Sequence, residues 1–310
     1  MGRALWTDPA GSGLGIDLMG TISNNFLGLE REFSAYEYAR FAILPVPYDS
    51  AASYRAGSRN GPAAIISASQ HVELFDEELG RESHASGITT LDPVAPNRAG
   101  PAAMHEDLFE VAGEVVADNK FLISLGGDHS ITSALVKAVM EKHGNLSVLQ
   151  IDAHCDLRDS FESTPYSHAC VMRRVFDLGA SIVPVGIRTL DTDEHAFLER
   201  STIRPITARS CHYDDDWADR AIRSLGDTVY VTVDIDGFDP AFAPGTGTPE
   251  PGGLDWYQVT GLLSRVTAER RVVAADIVEV MPIPGQVVTE FLAAKLAYKL
   301  IGYIERGSRT

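Results

Sequence analysis

Short β-branched and aromatic runs alternate along this chain with stretches whose apolar residues recur at helical spacing. Six runs predict buried strands: Phe41 to Val46, Phe121 to Leu125, Leu146 to Ile151, Ile182 to Ile187, Val229 to Val233 and Val272 to Val280. Between and after them, Glu106 to Asp118, Ile131 to His143, Ala169 to Leu178, Asp216 to Leu225, Trp256 to Arg265 and Val288 to Ile304 predict helices. Strand and helix alternation of this kind implies a parallel sheet flanked by helices, with ligands expected beyond the carboxyl ends of the strands. An open sheet and a closed eight-stranded barrel both satisfy the pattern, since both place their sites at that end. The first 35 residues, Gly-rich and aperiodic through residue 33, are expected to form an N-terminal arm or an oligomer contact, with disorder the other reading. Residues 36–310 then form one domain.

Composition narrows the partners. A chain of 310 residues with 45% hydrophobic residues can bury one large core, and no linker-like stretch divides it. A net charge of −17 argues against nucleic acid and suits a small cationic ligand drawn in by the field. Cys155, Cys170 and Cys211 lack CxxC spacing, so neither a disulfide framework nor a zinc knuckle is expected, and a reducing cytoplasm fits. No apolar run is long enough for a membrane span, and no signal-peptide layout opens the chain. No membrane partner is expected.

Two acidic motifs follow core strands directly: Asp152-Ala153-His154-Cys155-Asp156 after Leu146 to Ile151, and Asp234-Ile235-Asp236-Gly237-Phe238-Asp239-Pro240 after Val229 to Val233. Side chains two apart on a strand share a face, so Asp152, His154 and Asp156 can converge, as can Asp234 and Asp236, while Cys155 points away. Burying even one unpaired ion costs several kcal/mol, so a cation must bind there. A third motif, Gly126-Gly127-Asp128-His129-Ser130, adds an imidazole at another strand end. His129, Asp152, His154, Asp156, Asp234 and Asp236 are too many ligands for one ion; shared between two divalent cations they form a reasonable ligand set. Its oxygen-rich, thiolate-free character suits Mn²⁺ better than Zn²⁺ or copper. Two such metals lower the pKa of a bridging water, which makes hydrolysis the natural reaction class. His168 at a loop-to-helix boundary and Glu279 at a strand end are candidates for proton management and substrate orientation.

These motifs, together with Ser167-His168-Ala169, the run from Asp234 through Gly253, Ser53 to Pro62 and Asp276 to Val280, resemble the ureohydrolases, the arginase and agmatinase family. The resemblance spans roughly residues 40 to 305 and implies a three-layer α/β/α fold with a central, mostly parallel eight-stranded sheet. It implies two Mn²⁺ ions, with Ni²⁺ the alternative. One would be held by His129, Asp152, Asp156 and Asp234, the other by Asp152, His154, Asp234 and Asp236. It implies further that a bridging hydroxide attacks the guanidinium carbon, that Asp156 carries the proton to the leaving amine, that His168 is an acid/base or orienting group, and that Glu279 pairs with the guanidinium. Urea and an amine are the products, and homotrimers or homohexamers are the expected assembly.

The substrate's tail is read from the segment after Asp156. Asp159 and Glu162 would repel a carboxylate and attract a distal ammonium, and the wording of residues 166 to 174 and 242 to 245 is more like agmatinases than arginases. Agmatine is therefore the expected substrate; aminopropylagmatine, guanidinobutyrate, guanidinopropionate, guanidine and arginine are the alternatives. An inactive regulatory homologue is weighed against these, but every ligand position is filled. A single-zinc deacetylase of the same general fold would need a different ligand set. Asp128 is expected to cap the following helix and Asp239 to sit in a turn, neither binding metal. His71, His84, His105, His143, His195 and His212 are expected at the surface, Asp214 to Asp216 at a helix start, and Arg55 and Arg59 in packing or substrate contact.

Overall fold

The computed structural model of the protein describes residues 24–51 and 53–307. Ten strands appear in chain order: β1 (Phe41–Val46), β2 (Phe75–Asp76), β3 (Arg81–Glu82), β4 (Ile88–Thr90), β5 (Phe121–Gly126), β6 (Ser147–Ile151), β7 (Ser181–Ile187), β8 (Ile206–Thr207), β9 (Thr228–Asp234) and β10 (Arg271–Val278). Eight of them form one sheet in the order β4-β1-β5-β10-β9-β6-β7-β8, with every pairing parallel; β2 and β3 make a separate antiparallel hairpin. The sheet is open, with β4 and β8 at its edges, so the barrel is excluded.

Both faces are covered, which is why the strands read as unbroken apolar runs rather than alternating ones. Period-two alternation survives in where the side chains go. Phe41 and Ile43 of β1 and Phe121, Ile123 and Leu125 of β5 enter one core, with Ile65, Leu262, Leu263 and Leu300 from the helices Gly61–Ser69, Trp256–Glu269 and Val288–Gly307. Ala42, Leu44 and Val46 of β1 and Leu122 of β5 enter the other, with Leu108, Leu135, Val139 and Val175 from Pro101–Ala117, Thr132–His143 and Val171–Asp177.

All six expected strands and all six expected helices are present, with shifts of a few residues at their ends. The edge strands β4 and β8 and the helices Gly61–Ser69, Thr192–Arg200 and Ala208–Tyr213 are additions. Of the arm expected over residues 1–35, residues 1–23 lie outside the described residues, while Phe26, Leu27 and Leu29 are packed into the first core. His84 departs from its expected surface position: it is buried in the turn His84–Ser86, edge-on to Phe33 with ring centroids 4.9 Å apart. Cys155 is buried in the second core, turned away from its acidic neighbours as alternation requires. Among the described residues no helix is long and apolar enough to cross a membrane.

Strand order decides what meets at the carboxyl ends. β5, β10, β9 and β6 are distant in sequence yet adjacent in the sheet, so the segments following them converge on one spot. Those segments carry His129, Glu279, Asp234 with Asp236, and Asp152 with His154 and Asp156.

Candidate metal centre and active site

Each strand end is closed by a tight device that aims its ligand. After β5 the chain passes Gly127, where a Cβ would lie 1.9 Å from the carbonyl oxygen of Tyr48, so only glycine fits. Asp128 then caps the turn His129–Ile131 through the Ser130 N–H, 3.1 Å from its Oδ1, as expected of a cap and not a ligand. After β9, Asp234 accepts from the Asp236 N–H at 2.9 Å and starts a short 3₁₀ turn. After β6, Asp152 accepts from the His154 N–H at 2.6 Å and from Gln150 Nε2 at 2.8 Å. Asp156 and Glu279 both take left-handed backbone, φ 54° and 61°, which is uncommon for residues other than glycine and turns each carboxylate out of its strand direction.

The six residues expected as ligands come together. His129 Nδ1 stands 3.2 Å from Asp152 Oδ2, 3.1 Å from Asp156 Oδ2 and 3.3 Å from Asp234 Oδ2. His154 Nδ1 stands 3.1 Å from Asp236 Oδ2 and 3.6 Å from Asp152 Oδ1. Among the described residues two groups have donor atoms mutually within 4.8 Å, His129 with Asp152 and Asp234, and Asp152 with His154 and Asp236. Asp152 is common to both. Asp234 joins only the first group, and Asp156 approaches His129 without completing either.

Whether a metal fits is answered by His129. Its Nε2 is bonded to the Thr232 hydroxyl at 2.9 Å, while its buried Nδ1 has no hydrogen-bond partner despite facing three carboxylates. A buried nitrogen left unpaired among anionic oxygens is a ligand atom in waiting. Protonation points the same way. Burial first, then Asp152, pushes Asp156 up to about 7, and burial with Asp236 and Asp152 holds Asp234 well above the usual carboxylate range. Burial opposes charge on both imidazoles, yet Asp236 and Asp152 drive His154 up to about 12, and Asp152, Asp156 and Asp234 drive His129 well up. Burial opposes charge on Asp152 too, yet its contacts with His129 and His154 hold it below the usual carboxylate range; the protons sit on its neighbours, and metal binding releases such protons from its ligands.

Around these ligands a shell of hydrogen bonds, unanticipated from the sequence, fixes orientation. Arg188 donates to five backbone carbonyls, including Asp236 at 2.6 Å, Glu250 at 2.8 Å and Phe238 at 3.2 Å, and so clamps the Asp236 turn. Thr248 reaches Asp236 Oδ2 at 3.2 Å. Such outer groups tune first-contact ligands in metal sites generally. Thr232 was legible in principle, lying two residues before Asp234 on the same strand.

A cavity of about 240 Å³ opens beside the cluster, walled by His154, Asp156, Arg158, His168, Asp191 and Glu194 among others. His168 Nδ1 lies 3.7 Å from Glu279 Oε1, which also accepts from the His129 N–H at 2.8 Å; Glu279 itself is not on the cavity wall. The acidic groups expected to meet the substrate's tail are corrected here. Asp159 is turned to Arg174 at 2.9 Å, and Glu162 is exposed in a left-handed turn; neither lines the cavity. Their place is taken by Asp191 and Glu194, the capping box of the helix Thr192–Arg200, facing Arg158 at 3.1 and 4.0 Å. The D-x-x-E spacing of that box was the available signal. Asp214 and Asp216 pair with Arg220, Arg59 pairs with Asp49, and Asp239 holds a turn through the Ala241 N–H at 2.9 Å.

Comparison with known proteins agrees with this geometry. The model of the arginase family matches residues 39–302. The N(1)-aminopropylagmatine ureohydrolase of Synechocystis sp. is 41% identical over 283 residues, covering 89% of this chain and 92% of that protein. The agmatinase of Pyrococcus horikoshii is 34% identical over 274 residues, covering 86% and 93%. The crystal structure of agmatine ureohydrolase of Thermoplasma volcanium superposes with a TM-score of 0.83 at 31% identity, covering 94% of this chain and 96% of that one. With a matching family model over most of its length and relatives of this identity, the chain belongs to the arginase family and is a ureohydrolase, a hydrolase acting on a guanidino group.

Proposed function

We propose that the substrate is a guanidine bearing a cationic polyamine tail, aminopropylagmatine in the first place, cleaved to urea and the corresponding polyamine. The cavity wall carries this reading. Asp191 and Glu194 line the wall beside the single guanidinium of Arg158, an acidic surround that favours an ammonium over a carboxylate. Similarity adds to it: the relatives from Synechocystis sp. and Thermus thermophilus, both 41% identical, carry the name N(1)-aminopropylagmatine ureohydrolase. Agmatine, favoured by motif wording, is the second reading, supported by the agmatinase relative at 34% identity.

His129, Asp152, Asp156 and Asp234 would hold one cation, and Asp152, His154, Asp234 and Asp236 the other. When bound, a pair of divalent cations supplies a water of lowered pKa as nucleophile and offsets the crowded carboxylates; the oxygen-rich donors favour Mn²⁺ over Ni²⁺. The protein's own residues do the rest. Asp156, on the cavity wall, is placed to carry a proton to the leaving nitrogen, while Glu279, the expected guanidinium partner, stands behind that wall 3.7 Å from His168 and would act on the substrate through it. His168 orients the substrate beside them. Burial of these groups excludes bulk water and strengthens each interaction. A homotrimer or homohexamer in the cytoplasm belongs to the same reading.

The test is urea release from aminopropylagmatine, agmatine, arginine, guanidinobutyrate and guanidine, with Mn²⁺ and Ni²⁺ in separate arms. The expected order of kcat/KM places aminopropylagmatine first and the two carboxylate-bearing compounds last. Arginine or guanidinobutyrate turning over fastest would overturn the reading.

A further inference from the structure

From the loop that follows β1, we infer that Ser53 is a positioning residue of the active site, setting the tautomer and ring orientation of His168. The Ser53 hydroxyl lies 2.9 Å from His168 Nε2, and both residues line the catalytic cavity. On the other side of the ring, Nδ1 faces Glu279 Oε1 at 3.7 Å. That oxygen already accepts from the His129 N–H, and an acceptor facing Nδ1 favours the proton there, which leaves the Nε2 lone pair to accept from the Ser53 hydroxyl. Without Ser53 the ring has no second anchor, and the commoner tautomer with the proton on Nε2 becomes available.

The loop is tied to the metal centre, so Ser53 is held in register with it. Asp128 Oδ1 accepts from the Ser130 N–H at 3.1 Å and thereby shapes the His129 turn; its Oδ2 accepts from the Ala51 N–H at 2.8 Å. One buried carboxylate thus joins the turn that aims a metal ligand to the residue two before Ser53. The far end of the loop is pinned by Asp49, which accepts from the Gly57 N–H at 2.8 Å and pairs with Arg59. Two buried acids, neither a metal ligand, hold the ends of a loop whose middle carries the serine. Ser53 is itself exposed, so its hydroxyl contributes little to packing, and its removal leaves the core untouched.

This rests on the proposed role of His168 in guanidine hydrolysis, and the experiment separates the two. Protein labelled with ¹⁵N-histidine and loaded with diamagnetic Zn²⁺ reports the His168 tautomer directly, with His168→Gln assigning the signal. Turnover is measured in parallel with the Mn²⁺ enzyme. Ser53→Ala is expected to shift the His168 signals toward the tautomer protonated at Nε2 and to lower kcat by roughly tenfold to a hundredfold, with KM and metal content little changed. Ser53→Thr, which keeps the hydroxyl, is expected to restore both. An unchanged tautomer in Ser53→Ala overturns the inference whatever the turnover, and so does an altered tautomer with full kcat. Failure of the functional reading looks different: the wild-type enzyme itself would release no urea from any guanidine, while the ¹⁵N signals would still decide the link between Ser53 and His168.

Discussion

Thr232 holds His129 in one tautomer. Its hydroxyl donates to Asp276 Oδ1 at 2.5 Å, so the contact with His129 Nε2 at 2.9 Å must run from the ring N–H to the Thr232 oxygen. That places an N–H on Nε2 and makes Nδ1, which faces Asp152, Asp156 and Asp234, the atom that would meet a metal once its own proton is released. Asp276, fully buried in the middle of β10, also accepts from the hydroxyls of Tyr230 at 2.6 Å and Thr132 at 2.9 Å, and is in turn fixed by them. Thr232→Val keeps the shape and removes the relay. It is expected to weaken binding of the metal beside His129 by roughly tenfold to a hundredfold, the usual effect of losing an outer partner. Calorimetric titration of the stripped protein with Mn²⁺ measures this, and an affinity equal to wild type would refute the relay.

Asp234 has a different signature, because it contributes the oxygen itself. Asp234→Ala removes a carboxylate 3.3 Å from His129 Nδ1 and the acceptor for the Asp236 N–H, so it disturbs both groups of donors at once. Metal retention after gel filtration and urea release are expected to be lost together. Full activity with unchanged metal content would sink the assignment of this centre.

The parts of the molecule legible in the sequence are those where one physical rule acts alone. β5, β6 and β9 are buried on both faces, so each showed as an apolar run, and the ligands followed because each motif begins where such a run stops. The edge strand β4 has only three residues and β8 only two, too short to leave a periodic pattern. Gly61–Ser69 carries Pro62 in its first turn and a weakly segregated apolar face, so it too leaves no clear periodic pattern. At the site, nearness in sequence to Asp156 points to Asp159 and Glu162 as partners of the substrate's tail. The wall is instead built from Asp191 and Glu194, brought there by the parallel neighbour β7 and the capping box that follows it. Asp276 offered a clue that position along the chain could supply, an acid inside an apolar strand, but its three hydroxyl partners come from two other segments, β9 and the helix Thr132–His143.

Lys299 gives a prediction about stability that should leave the chemistry alone. Its ammonium, only 3% exposed on the long C-terminal helix, pairs with Asp76 at 3.0 Å and Glu78 at 2.9 Å and so binds the β2–β3 hairpin to that helix. Lys299→Met leaves the buried carboxylate of Asp76 without its counter-charge, which is expected to cost about 3 kcal/mol in denaturant unfolding. None of these residues lines the cavity, so kcat of the folded enzyme should stay within about twofold of wild type. A matching loss of kcat with no loss of stability would contradict this placement.

His168 supplies the pH dependence. Burial above all, reinforced by the positive charge of His154 and His129, pushes its pKa from 6.5 down to about 4. Bound dications would repel its proton in the same sense as the charged imidazoles do, so the direction holds in the loaded enzyme. Between about pH 4 and 6.5 the unfolded chain binds a proton at this histidine that the native protein refuses, so the native state is at no disadvantage above pH 6.5 and loses stability as the pH falls from 6.5 toward 4. His168→Gln abolishes that loss, so its unfolding free energy should fall less steeply than wild type over this window. For the same reason an acid limb of activity near pH 6.5 cannot be charged to His168, whose ring stays neutral there. Titration of the ¹⁵N-histidine signals of His168 checks the point directly: a midpoint close to that of free histidine would remove both the stability effect and the neutral ring on which substrate orientation depends.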